Sequence, residues 1–143
     1  QKFLITMNIA KISGLLIFLF FTLFFIVSCD DTLTVEDVDS KPMPQSNISF
    51  SQNIYPILQV KCAFSGCHAT PNPAQGLDLS TYSGVTADPN IVFPGEPDLS
   101  KLIWAIEGRP PIEPMPPIGY ARPVTNEQLR GIKTWIEEGA ENN

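Results

Sequence analysis

The chain reads as an all-α domain of three to four short helices joined by long proline- and glycine-rich loops. Three observations predict this. Apolar residues recur at helical spacing in three stretches, near 50–60, 98–107 and 125–139. The connections between them hold most of the 14 prolines and 9 glycines. Nowhere do apolar and polar residues alternate for long enough to argue a strand.

The first segment, 1–28, is read as an export signal. From Met7 a single Lys11 precedes an apolar run over 12–27, broken only by small or hydroxyl residues, and Ser28 stands before Cys29. This is the pattern of a secretory signal ending in a lipobox, "IVSC", with the Cys29 sulfur as the acylated group. Residues 1–6 are read as lying upstream of the start. An uncleaved span is disfavoured because the run falls short of the roughly 20 residues that cross hydrocarbon and no basic residues follow it.

Residues 29–48, "CDDTLTVEDVDSKPMPQSNI", are acidic and lack apolar periodicity, which predicts a disordered tether. As a flexible coil it would hold the body on the order of 25 Å from a bilayer. The body is expected over 49–141. Its first helix should follow a Ser49 or Ser51 cap, with Phe50, Ile54, Ile57 and Leu58 on one stripe and Pro56 shortening or kinking it. The second should run over 98–107, capped by Asp98, with Leu99, Leu102, Ile103 and Ile106 inward and Gly108 as its stop. The third opens on a capping box of Thr125 and Gln128; Leu129, Ile132 and Ile136 form its stripe, Trp135 sits at the margin, and Gly139 ends it.

Three short helices in about 90 residues give a thin core, a shortage that a staple, a metal or a large apolar cofactor commonly fills. Charge narrows the partners. Of 9 basic and 15 acidic residues, the signal carries only Lys2 and Lys11, so the rest of the chain is distinctly acidic. With no basic patch to neutralise phosphate, nucleic-acid binding is not expected. A basic redox protein would suit the charge.

Export also constrains the cysteines, because thiols outside the cytoplasm are oxidised, attached to something, or rare. With Cys29 assigned to lipid, Cys62 and Cys67 remain as a pair in "KCAFSGCHAT". Covalent c-type haem is usually marked by C-x-x-C-H, and here the spacing is C-x4-C-H. The demand that matters is the adjacency of Cys67 and His68, since the second thioether and the axial imidazole come from one turn of chain. Two extra residues can bulge outward where Gly66 permits.

His68 is the one histidine in the chain, so a second imidazole ligand cannot come from it. A protein-derived sixth ligand would then be methionine. Beyond the signal these are Met43, in the tether, and Met115, in "EPMPP", where flanking prolines lower the entropic cost of presenting a thioether. Sulfur opposite imidazole raises the reduction potential and suits electron transfer. Two other readings of the cysteines stand beside this one: a Cys62–Cys67 disulfide in a haem-free exported interaction module, and a zinc site needing a carboxylate to complete it. Trp104, Trp135, Tyr55, Tyr82 and Tyr120 are read as core or cofactor-packing residues. Arg109 and Arg122 could meet haem propionates or simply be solvated.

"FSQNIYPILQVKCAFSGCHA", "GLDLSTYSGV", "VFPGEPDLSKLIWAIEG", "MPP" and "LRGIKTWIEEGA", in that order, resemble the small cytochrome c domains of bacterial envelope lipoproteins. The resemblance covers most of 50–140. It implies an all-α cytochrome c fold around one covalent haem c and its iron, with thioethers from Cys62 and Cys67, proximal His68 and distal Met115. It also implies an electron-transfer protein rather than an enzyme, held by lipid to a bacterial envelope membrane, facing the periplasm or the cell surface, and serving a redox partner protein.

Overall fold

The computed structural model describes residues 32–143; the expected signal, its lipobox and Cys29 lie outside them. Leu33–Asn143 form one compact unit. Five α-helices occur among the described residues: α1 (Val35–Ser40), α2 (Tyr55–Lys61), α3 (Tyr82–Val85), α4 (Lys101–Glu107) and α5 (Asn126–Glu137). No strand is found among them, and no helix there is long and apolar enough to cross a membrane.

The first expected helix forms in two pieces. Ser49 caps it, its hydroxyl accepting from the Gln52 amide, and a π-helical turn, Phe50–Ile54, leads into α2. Pro56 sits in the first turn of α2, and Gln52 O, the carbonyl four residues before it, accepts from Lys41 Nζ at 2.7 Å in place of the missing N–H. The proline therefore divides the helix and leaves the stripe intact. Phe50, Ile54, Ile57 and Leu58 are all buried. Each such side chain contributes about 1.5–3 kcal/mol of transfer free energy.

α5 forms as its capping box predicts: Thr125 Oγ1 accepts from the Gln128 amide, and Gln128 Oε1 accepts from the Thr125 amide. Ile132 and Ile136 are inward, and Trp135 is fully buried rather than marginal. The Phe50 ring joins these parts, lying edge-on to Tyr82 at 5.1 Å and tilted against Trp135 at 5.4 Å.

α4 departs from expectation at its start. Pro97–Leu99 form a separate 3-10 turn, and the N-cap is Ser100, whose hydroxyl oxygen accepts from the Phe93 amide while its O–H donates to Glu96 O, so it gives the helix no side-chain cap. Asp98 instead turns its carboxylate to Arg109 and its carbonyl to the Trp104 indole N–H. Leu99 is 56% exposed, while Leu102 and Ile103 are buried. Gly108 ends α4 in the left-handed region, φ 65°, as predicted.

The largest correction concerns the acidic segment. Residues 33–48 are an ordered arm rather than a disordered tether, so the folded body begins at Leu33 instead of residue 49. Thr34 and Asp37 build a capping box for α1. Val38, Met43 and Ile48 are buried. Side chains of α5 and the residue after it serve the arm's backbone: Glu127 accepts from the Met43 amide, Gln128 donates to Val38 O, Arg130 donates to Met43 O and Pro44 O, and Glu138 accepts from the Asn47 and Ile48 amides. The arm cannot order itself, but α5 satisfies both its apolar and its polar groups.

Met43 lies in a notch made by Gly131. A Cβ added there would stand 2.5 Å from both Cγ and Sδ of Met43. A mid-helix glycine ordinarily costs about 1 kcal/mol against alanine, and here it makes room for the arm. Gly131→Val should displace Met43 and lower the unfolding free energy by about 1–3 kcal/mol, with residues 33–48 becoming protease-sensitive. An unchanged denaturation midpoint with an intact arm would refute that packing.

Candidate functional site

α2 ends at the cysteine pair. The amides of Cys62 and Ala63 both donate to Leu58 O, at 2.9 and 2.7 Å, which stops the helix and turns the chain outward. The loop over 62–68 then closes on itself: Cys67 N donates to Phe64 O at 2.9 Å and His68 N to Cys62 O at 3.1 Å. Gly66 takes φ 85° with open space where a Cβ would be, and Ser65 and Gly66 face solvent. The extra residues of C-x4-C-H thus bulge outward, and Cys62 and His68 are brought together at the base of the loop.

His68 is held from two sides. Its carbonyl accepts from the Leu79 amide at 2.8 Å, and its ring Nδ1 lies 3.2 Å from Leu77 O. A carbonyl oxygen can only accept, so Nδ1 carries the proton and Nε2 keeps a lone pair for a metal. Cys67 is anchored through its carbonyl, which accepts from the Ala74 amide at 2.8 Å.

Cys62 and Cys67 are both free thiols, with no disulfide between them. Both are partly buried. Desolvation pushes the Cys62 thiol up to about 12, against the opposing charge of Lys61 and with a smaller upward push from Cys67. In the folded chain Cys62 is therefore a neutral thiol at ordinary pH.

Met115 stands on a different loop. Its amide donates to Ala105 O at 2.8 Å, fastening the 109–123 loop to the end of α4, and its side chain is half-buried. Ile118 and Tyr120 follow it as exposed apolar side chains. No hydrogen bond among the described residues joins Met115 itself to the cysteine loop. The two loops are tied instead through Lys61, whose Nζ donates to Pro123 O at 2.7 Å.

Among the described residues no three His, Cys, Asp or Glu side chains converge to hold a bare metal ion, which leaves the zinc reading without its donor set. Covalent haem makes no such demand, because thiols bond to the rim of the macrocycle and only the imidazole meets the iron. Two free thiols in the loop that ends at an oriented imidazole with Nε2 available are a donor set that fits it. Arg109 is engaged by Glu107 and Asp98, and Arg122 by Glu36 and Asp39, so carboxylates of this chain hold both guanidiniums. Of the aromatic residues, Tyr82 donates to Ala140 O, whereas Tyr120 is solvent-exposed.

Two contributors escape a reading of the sequence. Leu77 acts through its carbonyl, which no side chain announces. Lys61 was visible in principle: the 54, 57, 58 stripe continues onto position 61, and a lysine there must be buried with a partner. That partner, Asp39, lies in the segment expected to be disordered.

The all-α fold with long loops, the closed Cys-x4-Cys-His turn and Met115 on a separate loop agree with a cytochrome c-like architecture. Residues 65–119 match the family model for Planctomycete cytochrome C, a stretch that takes in Cys67, His68 and Met115 and begins just after Cys62. No curated protein and no solved structure matches the chain.

Proposed function

We propose that the chain is a membrane-anchored monohaem c-type cytochrome that transfers electrons. Cys62 and Cys67 would hold haem c through thioethers, and His68 and Met115 would ligate its iron. The observation that carries this reading is the orientation of His68: Leu77 O fixes the proton on Nδ1 and leaves Nε2 its lone pair, beside a free thiol on the adjacent Cys67 that would bind the same stretch of chain to the macrocycle. The match over 65–119 points the same way. Met43, packed on Gly131 in the core, is not free to serve as a ligand, which favours Met115. A single histidine in the sequence argues for a single haem.

Bound haem supplies one-electron exchange between ferrous and ferric iron. This chain's part is to orient the imidazole and to present a thioether from a fastened loop. The acidic surface suits a basic redox partner. Lipid on Cys29 would keep the domain at an envelope membrane, facing the periplasm or the cell surface. Protein made with haem-attachment machinery should show a sharp Soret band and keep its colour through acid-acetone extraction; a colourless product would refute the proposal. Cys29→Ala should move the coloured protein from membrane to soluble fractions with its spectrum unaltered, and retention in the membrane would argue against lipidation.

A further inference from the structure

We propose that Asp39 is a positioning residue for the haem site, its carboxylate tying the start of the cysteine loop to the end of the Met115 loop through Lys61 and Arg122. The inference deepens the His68/Met115 reading and rests on it for its spectroscopic test.

Lys61 is the last residue of α2 and the neighbour of Cys62, and its side chain is 0% exposed. A buried ammonium is tolerated only when it is paired and hydrogen-bonded. It has three protons to place. One goes to Asp39 Oδ1 at 2.7 Å and another to Pro123 O at 2.7 Å. These two contacts anchor the end of α2, and with it the start of the 62–68 loop, against Asp39 and Pro123.

Asp39 also reaches the far end of the other loop. Its Oδ2 lies 3.8 Å from Arg122 Nη1, while Arg122 Nη2 pairs with Glu36 Oε1 at 2.5 Å. Gln128 Nε2, in the first turn of α5, donates to Asp39 Oδ1 at 3.0 Å. One carboxylate therefore meets the end of α2, the end of the Met115 loop and the start of α5. Since Met115 N is bonded to Ala105 O, the loop carrying the thioether is fastened at α4 on one side and at Asp39 on the other.

A ligand on a loop is only as well placed as the ends of that loop. Loss of Asp39 leaves Lys61 an uncompensated buried charge, and relaxation of that charge moves both loops. A role confined to overall stability would instead loosen the whole molecule evenly.

The test uses the full haem-loaded chain and follows the amides of His68, Met115 and Ile132. In Asp39→Asn, haem should remain attached, the ferric near-infrared sulfur-to-iron band should weaken, and the His68 and Met115 amides should exchange about tenfold faster while Ile132 in α5 is unchanged. Asp39→Glu should restore the band in part. Arg122→Gln, altering a side chain 59% exposed, should speed exchange of Met115 and leave His68 as it was. If Asp39→Asn does not fold, the Arg122→Gln result decides, and an unchanged Met115 amide there overturns the inference. Equal acceleration at all three amides, or a band and exchange rates like those of the wild type, overturns it as well. Absence of the near-infrared band from the wild-type protein would instead sink Met115 ligation, leaving the exchange rates to judge Asp39.

Discussion

His68→Ala should remove the low-spin haem spectrum altogether. The chain has no other histidine to take its place. The thioethers alone could keep some macrocycle attached, so two quantities should be measured: haem per chain, by alkaline pyridine haemochrome, and the sharp ferrous bands of the intact protein. Haem content is expected to fall about tenfold, since metal-site binding energy is also folding energy in a domain with so thin a core. The bands should vanish from whatever haem remains. Wild-type-like ferrous bands in the variant would show that His68 is not the proximal ligand, whatever the thiols do.

Met115→Ala should have the second largest effect, and a cleaner one. Its side chain is half-buried on a surface loop, so truncation should cost little stability. If its sulfur is the sixth ligand, the near-infrared band disappears, and cyanide or carbon monoxide binds readily at the vacated position. The midpoint potential should fall by on the order of 0.1 V, inside the roughly 0.8 V range over which axial ligands set haem potentials. Met43→Ala is the control. Because Met43 is buried against Gly131, that change should cost about 2–5 kcal/mol of stability while leaving the band in place. An unchanged spectrum in Met115→Ala would point to an open iron and a small-molecule sensing role.

How much of this was legible in the sequence differs from element to element. The α5 capping box could be read because every group in it lies within four residues, and local hydrogen bonds need no tertiary partner. The stripe from Phe50 to Leu58 could be read because helical periodicity marks the buried face wherever that face docks. Asp98 misled because it has the right chemistry for a cap, yet Arg109, eleven residues away, competes for its carboxylate, and Ser100 takes the capping position. The arm over 33–48 misled more deeply. Its apolar residues, Val38, Met43 and Ile48, are too sparse to mark a face, and their burial exists only because α5 and the residue after it offer a glycine notch and four polar side chains.

The sequence by itself determined the all-α class, the C-x4-C-H turn with its outward bulge, and the helix stops at Gly108 and Gly139, since each follows from local spacing and backbone freedom. Only the tertiary structure decided which nitrogen of His68 keeps its lone pair, that Met43 belongs to the core, and that a buried lysine beside Cys62 is neutralised by an acid twenty-two residues upstream. Those outcomes depend on burial and long-range pairing. Desolvation makes an unpaired charge or amide costly enough to draw distant segments together, and the partners it selects are separated along the chain by intervals that no local pattern records.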